Sequence, residues 1–159
     1  MPFILERNNA DYEQIEIAPL NLSFVERIPG ELTSDFVEKH NLAKEEITQE
    51  IIELRIEILQ NPPAMWDTSL RFCLIQNDEN EIVAYGIGHN YYEKRNTYYV
   101  NTIYVHPEYR ARGLSKAILN EFINHFLTLE NFNELYAVTQ PNNNRAIELL
   151  RSKSFNYLG

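Results

Sequence analysis

The sequence contains little of what marks secreted, disulfide-bonded or membrane-spanning proteins. Its one cysteine, Cys73, cannot form an intrachain disulfide, so nothing indicates an oxidising compartment. No apolar run approaches the roughly 20 residues that a membrane span requires. The N-terminal residues carry an early acid, Glu6, and lack the long apolar core of a signal peptide. We therefore expect a cytoplasmic protein with no membrane partner.

Basic residues are also scarce. The chain has 14 Lys and Arg against 23 Asp and Glu, a formal net charge of −9. Nucleic acids require clustered Lys and Arg, so we expect no nucleic-acid partner, whereas an acidic chain is compatible with a cationic substrate such as an amine. The four histidines and one cysteine show no metal-ligand spacing, which predicts no metal. The sequence also has no Gly-Lys-Ser/Thr loop, which argues against a nucleotide-phosphate binder.

Hydrophobic periodicity and turn signals predict one mixed α/β (α+β) domain, which the length of 159 residues fits. Strands at 69–76 and 81–91 form a hairpin, and a strand at 97–105 extends it to an antiparallel meander. Gly86 and Gly88 indicate a bulge or a close backbone approach in the second strand. The other predicted elements are strands at 3–6, 14–17, 135–139 and 155–158 and helices at 34–40, 42–60, 114–127 and after 141–144.

The most informative stretch joins the strand at 97–105 to the helix at 114–127. Pro107 ends the strand because it lacks the N–H that a β-ladder requires. Free backbone N–H groups and the positive end of the helix dipole favour an anion at the helix N-terminus. Gly113 removes the Cβ that would hold a phosphate away from the backbone. The pattern therefore predicts an anion site in this loop.

Two motifs stand out in the second half of the chain. The first reads Arg110-x-x-Gly113-x-Ser115 and follows a strand that ends in Val105-x-Pro107. It resembles the coenzyme A pyrophosphate loop of the GNAT superfamily, the acyl-CoA-dependent N-acyltransferases, which has Gly or Ala where Ser115 stands. The second motif reads Asn143-x-x-Ala146-x-x-Leu149, then Phe155. It has the family's order and the family's separation from the first motif.

For the fold, the resemblance implies a single GNAT domain over residues 1–159. Its mixed central sheet has an antiparallel meander, then a βαβ unit, with flanking helices. The family usually has two strands after the last helix, and the sequence has length for only one, beginning near Phe155. Either the fold is trimmed, or an N-terminal strand or a second subunit covers that edge. We expect a monomer or a homodimer.

For the cofactor, the resemblance implies acetyl-CoA. The end of the strand at 97–105 splays from the strand at 135–139, the pantetheine arm pairs with backbone in that gap, and the loop amides hold the pyrophosphate. Asn143 hydrogen-bonds the pantetheine arm and can also be a helix N-cap. The implied cofactor-binding residues are Ile103, Tyr104, Val105, Arg110, Ala111, Arg112, Gly113, Leu114, Ser115, Lys116 and Asn143.

For catalysis, the resemblance implies that the Val105 N–H stabilises the oxyanion. The family's usual tyrosine acid falls at Leu150 and its glutamate base at Asn101 or Val138, and none of these side chains can do that work. Asn101 is instead expected to hold a water that relays a proton. The substitutes for the acid and base come from the acceptor side of the cleft. The candidates there are Asp67, His89, Tyr91, Tyr92, Glu93, Tyr98 and Tyr99.

The leading functional hypothesis is an acetyl-CoA-dependent N-acetyltransferase that acts on a primary amine of a small molecule or peptide. The expected acceptor-binding residues are Trp66, Asp67, Tyr91 and Glu93. The alternative is an acyl-CoA-binding regulatory or vestigial module with little turnover, which the loss of the tyrosine at Leu150 favours. An acceptor-dependent release of thiol from acetyl-CoA separates the two.

Overall fold

A computed structural model describes residues 1–25, 71–91 and 93–159. This part of the chain forms one seven-stranded sheet with the strand order β2-β3-β4-β5-β6-β1-β7 and two α-helices. The strands are β1 (Pro2–Glu6), β2 (Ser23–Val25), β3 (Arg71–Gln76), β4 (Ile82–Asn90), β5 (Thr97–Val105), β6 (Glu134–Val138) and β7 (Asn156–Tyr157). The helices are α1 (Leu114–Thr128) and α2 (Asn144–Ser152). The predicted fold class is confirmed.

The antiparallel meander β3-β4-β5 is as the sequence predicts. The turn between β3 and β4 is held by Asn77, whose side-chain oxygen accepts from the amides of Glu79 at 3.0 Å and Glu81 at 2.9 Å. Cys73 lies in β3 within the core, and burial raises the pKa of its thiol to about 12, which fits the small packing residue expected there.

Gly86 and Gly88 let α1 approach the sheet closely. A Cβ on Gly86 would lie 2.5 Å from Phe122 Cε2, and one on Gly88 would lie 2.7 Å from Phe122 Cε1. The pairing of β4 with β5 also contains a β-bulge next to Gly88. Ile87 pairs with Thr102 and Gly88 with Val100, so the extra residue lies on β5, at Asn101.

The unit β5–α1–β6 is the crossover that the sequence predicts, with β5 and β6 parallel. Its helix packs on the sheet through the apolar positions predicted from their spacing. These residues, all buried, are Leu114, Ala117, Ile118, Phe122 and Phe126. No helix within the described ranges is long and apolar enough to cross a bilayer.

The N-terminal strand covers the sheet edge that the sequence leaves open. β1 pairs antiparallel with β6 on one side and with the two-residue β7 on the other. The strand predicted at 14–17 is wrong, because these residues join no strand of the sheet, and Glu13, just before them, contacts α1. The amide of Glu13 donates to Asn120 Oδ1 at 3.4 Å, and the Glu13 carboxylate lies 3.6 Å from the ammonium groups of Lys116 and Lys153. The helices predicted at 34–40 and 42–60 lie outside the described residues.

Arg7 closes the C-terminal end of α1. Its guanidinium lies 5.4 Å from the centre of the Phe126 ring and donates to four carbonyls at the end of the helix and in the turn after it. These belong to Phe126 at 3.3 Å, Leu127 at 2.6 Å, Leu129 at 2.9 Å and Phe132 at 2.9 Å. The last carbonyls of a helix have no intrahelical donor, so one planar cation serves several of them.

Arg7→Ala is expected to lower the free energy of unfolding by about 3 kcal/mol, since charge-assisted bonds and the favourable helix-terminal charge are lost together. Arg7→Lys keeps the charge but not the planar fork, and we expect about half that loss. Urea denaturation of the three proteins measures both values. A loss below about 0.5 kcal/mol for Arg7→Ala would contradict the capping role, since such a value is typical of an ordinary surface site.

Candidate active site and cofactor groove

The sheet opens between β5 and β6. Their parallel pairing runs from Thr97 with Glu134 to Val100 with Ala137, and it ends there. β5 continues to Val105 along β4. Within the described ranges, residues 101–105 therefore have no strand partner on the β6 side, and a gap in the sheet begins at Asn101.

Backbone direction along β5 decides which groups face this gap. The His106 amide donates to the Val83 carbonyl at 2.8 Å, and hydrogen-bonded residues alternate along an antiparallel pair. The polar backbone groups of Tyr104 therefore face β4, and those of Ile103 and Val105 face the gap. Of the three β5 residues predicted to bind cofactor, Ile103 and Val105 have the geometry for it, whereas the Tyr104 backbone does not.

The loop after β5 forms a concave array of amides. Ala111 has φ +62° and Gly113, the N-cap of α1, has φ +81°. The left-handed Gly113 followed by the right-handed helical Leu114 turns successive N–H groups to one side, which is the arrangement of an anion-binding nest. The amides of residues 111–116 have no hydrogen-bond acceptor in the part of the chain that the structure describes. Apart from its chain neighbours and the helix backbone, a Cβ on Gly113 would meet no atom of the described residues within 4 Å, so this side of the nest is open toward a ligand.

Three residues of the loop and the first turn of α1 carry cationic side chains. Arg110 is exposed, and its Nε donates to the Val105 carbonyl at 3.1 Å, which ties the loop to the end of β5. Arg112 is exposed and lies over the Tyr109 ring. Lys116, in the first turn of α1, faces Glu13. Free amides, a helix N-terminus and these charges together fit a diphosphate.

The second motif lies at the start of α2. The Asn143 side chain accepts from the Ala146 amide at 3.2 Å, so the expected N-cap is present. Leu150 is buried in the core. Its position therefore provides no proton donor, as the sequence indicates.

Residues 35–155 of the chain match the acetyltransferase (GNAT) family. The chain belongs to the GNAT acetyltransferases. The resemblance seen in its two motifs is confirmed.

Solved structures with the same fold include several GNAT proteins. The ribosomal-protein-S18-alanine N-acetyltransferase from Escherichia coli is 16% identical over 87% of this chain and 79% of its own, with a TM-score of 0.64. AAC(6')-Iy, solved with a bisubstrate analogue of CoA and acetylneamine, is 15% identical over 87% of this chain and 92% of its own, with a TM-score of 0.60.

A GCN5-related N-acetyltransferase from Sphaerobacter thermophilus is 17% identical over 98% of this chain, with a TM-score of 0.63. This chain spans only 47% of that protein, about half its length. A search of curated protein sequences gave no significant match. At these identities the structural likeness concerns the fold, and the acceptor must be argued from the site itself.

In this GNAT chain Asn101 occupies the bulge at the point where the gap begins. Its Nδ2 lies 3.0 Å from His89 Nε2, and the Thr102 hydroxyl donates to its Oδ1 at 3.2 Å. His89 Nδ1 lies 2.7 Å from the Asn90 carbonyl oxygen. Burial lowers the pKa of the His89 imidazole, and the bond to Asn90 partly opposes that shift.

Three tyrosines share the sheet face of His89 and Asn101. The rings of Tyr91 and Tyr136 stack with their centroids 4.7 Å apart. The centroid of the Tyr99 ring lies 5.3 Å from that of Tyr91 and 5.6 Å from that of Tyr136. The Tyr91 hydroxyl donates to the exposed Glu93 carboxylate at 2.6 Å, and this bond raises the pKa of Tyr91, with a smaller contribution from burial. We call the surface formed by Tyr91, Tyr99, Tyr136 and Glu93 the tyrosine patch. It combines three aromatic rings with one carboxylate.

Some candidates from the sequence are not on this surface. Tyr98 is fully buried on the opposite face, against the rings of His125 and Phe132, so it cannot act in the gap. Trp66, Asp67 and Tyr92 lie outside the described residues. Val138, at the end of β6, is exposed and carries no ionisable group.

The sequence reasoning missed two contacts, the pairing of His89 with Asn101 and the place of Tyr136 in the tyrosine patch. The parallel register of β5 with β6 brings Tyr136 beside Tyr99, and only a predicted register would have shown it. No group of three or more His, Cys, Asp or Glu side chains in the described ranges is placed to hold a metal ion.

Proposed function

We propose that this chain is an acetyl-CoA-dependent N-acetyltransferase that acetylates a primary amine of a small molecule or peptide. One observation carries the proposal: the backbone of Ile103 and Val105, which has no strand partner on the β6 side within the described residues, faces a gap beside an amide nest at the start of α1. A long ligand with a diphosphate at one end and an amide-bearing arm fits these two features together.

The cofactor residues divide by role. The amides of Ala111, Gly113, Leu114, Ser115 and Lys116 hold the diphosphate, and the guanidinium groups of Arg110 and Arg112 add positive charge beside it. The backbone groups of Ile103 and Val105 hydrogen-bond the pantetheine arm as they would a neighbouring strand. When bound, acetyl-CoA supplies the thioester that carries the acetyl group. Asn143, the N-cap of α2, is the proposed side-chain hydrogen-bond partner of the pantetheine arm.

Catalysis by this chain rests on backbone and polar groups near the bulge. The Val105 N–H faces the gap and stabilises the negative charge that develops on the acyl oxygen, an effect worth about 3 kcal/mol in acyl transfer. A free alkylamine has a pKa of about 10.4, so the acceptor must lose a proton before it attacks. Asn101 holds the water through which that proton leaves.

The tyrosine patch binds the acceptor. Tyr91 supplies a ring face and Glu93 a carboxylate, which together favour a cationic amine. Two structural neighbours are named for an S18-alanine substrate and for an acetylneamine analogue, so the fold accommodates both peptide and small-molecule amines. We propose a cytoplasmic enzyme, monomeric or homodimeric, with Trp66 and Asp67 as further acceptor contacts.

The absence of a tyrosine at Leu150 favours a second candidate, an acyl-CoA-binding module with little turnover. Calorimetry with acetyl-CoA and thiol release in the presence of a panel of primary amines distinguish the two. Acceptor-dependent release, with the acetylated amine identified by mass spectrometry, is the expected result. Tight acetyl-CoA binding without thiol release in the presence of any amine would favour the acyl-CoA-binding module. A protein that does not bind acetyl-CoA would exclude both candidate functions.

A further inference from the structure

The two hydrogen bonds that the described residues make with the His89 ring have only one consistent direction. The Asn90 carbonyl oxygen can only accept, so His89 Nδ1, 2.7 Å away, carries the ring proton. Burial favours the neutral ring, which leaves a lone pair on Nε2. The group 3.0 Å from that lone pair must therefore be the N–H of the Asn101 amide.

This direction fixes the orientation of the Asn101 carboxamide. Its Nδ2 points to His89, and its Oδ1 accepts from the Thr102 hydroxyl. Within the described residues, one N–H and one oxygen lone pair of the Asn101 side chain remain for a ligand in the gap. The two ends of a carboxamide have nearly the same shape, so without His89 the group can turn over and exchange its donor and acceptor.

We propose that His89 is a positioning residue, which holds the Asn101 carboxamide in one orientation at the bulge where β5 and β6 diverge. The His89 side chain is almost wholly buried, so it acts through Asn101 rather than on the acceptor. The Tyr99 ring, edge-on to the imidazole at 5.4 Å, restricts its rotation. The consequence for turnover rests on the proposed function, in which Asn101 holds the proton-relaying water.

The first test needs no acceptor. In the ¹⁵N spectrum of histidine-labelled protein at neutral pH, His89 should show a neutral ring with its proton on Nδ1. Asn101→Asp replaces the N–H donor with an oxygen, so Nε2 must take up a proton and the ring should become doubly protonated. Asn156→Asp adds the same charge on exposed β7 and should leave the ring unchanged. A wild-type proton on Nε2, or an unchanged ring in Asn101→Asp, would overturn the proposal.

The second test compares two amides at position 89. His89→Gln reaches the place of Nε2 and can accept from Asn101, whereas His89→Asn reaches only the place of Nδ1. With the best amine from the panel, His89→Asn should lower kcat about 10-fold or more, with the KM for acetyl-CoA within about twofold. His89→Gln should recover most of the lost rate. Equal losses in both variants, or a loss confined to KM, would contradict positioning.

Circular dichroism establishes that each variant is folded, and if either is not, the ¹⁵N measurement decides. The failure of the proposed function is a separate result. A wild-type protein that acetylates no amine refutes the enzyme, while the protonation state of His89 still shows whether it orients Asn101.

Discussion

Gly113→Glu is expected to weaken acetyl-CoA binding by about 100-fold or more while the protein remains folded, a change of at least about 2.7 kcal/mol. Gly113 has φ +81° and open space at the Cβ position, so the new carboxylate would extend from the amide nest toward the ligand side. There it opposes a diphosphate of the same sign where the low dielectric of a binding site strengthens repulsion. Isothermal titration with acetyl-CoA measures the loss.

Gly113→Ala is the matched control. It shares the cost of a left-handed backbone at a non-glycine residue, about 1 kcal/mol of stability, but adds no charge. We expect thermal unfolding to shift equally in both variants and affinity to fall much further in Gly113→Glu. An affinity within about threefold of wild type for Gly113→Glu would place the diphosphate elsewhere and remove the basis of the cofactor assignment.

The junction of β5, loop and α1 was predictable because its signals are local. Aromatic and β-branched residues mark the strand, and the predicted range at 97–105 is the observed β5. Pro107 begins a 3₁₀ turn, and Gly113 takes the left-handed conformation that favours glycine. Each of these preferences acts within a few residues, so no knowledge of the rest of the chain is required.

The N-terminal region shows where local signals end. Alternation at 14–17 predicts a strand, but an extended segment has the same period whether it joins a sheet or lies against a helix. Contacts of Glu13 with α1 decide the matter, and their partners are more than 100 residues away in the sequence. The insertion of β1 between β6 and β7 likewise depends on pairing across almost the whole chain.

The candidate site divides in the same way. The amide nest follows from a motif, whereas the contact of Asn101 with His89 depends on the bulge in β5. One extra residue changes the face to which each following side chain points, so alternation counted along the sequence assigns the wrong neighbours. Tyr98 and Tyr99 are adjacent in the sequence and point to opposite faces of the sheet. Tyr98 is fully buried in the core, whereas Tyr99 is half-buried in the tyrosine patch.

Gly86→Ala is expected to lower the free energy of unfolding by about 2–3 kcal/mol. The added methyl would lie 2.5 Å from Phe122 Cε2 and 2.6 Å from Ile118 Cγ2, both buried atoms of α1. An alanine that fits its site stabilises a chain by about 0.4–1 kcal/mol through the unfolded state, so a net loss identifies the clash. Urea denaturation measures the change, and Gly159→Ala, at the exposed chain end, should have almost no effect.

The reason for the Gly86 effect is tested by removing the ring that the methyl strikes. Phe122→Leu alone leaves a cavity and should cost about 1–3 kcal/mol. In the double variant the smaller side chain makes room for the methyl. The loss of unfolding free energy in the double variant should therefore be at least about 1 kcal/mol smaller than the sum of the losses in the two single variants. Simple additivity would mean that α1 moves away from the sheet instead. Because the N-terminus of α1 carries the amide nest, such a movement would also weaken acetyl-CoA binding in Gly86→Ala, and titration of that variant separates local repacking from displacement of the helix.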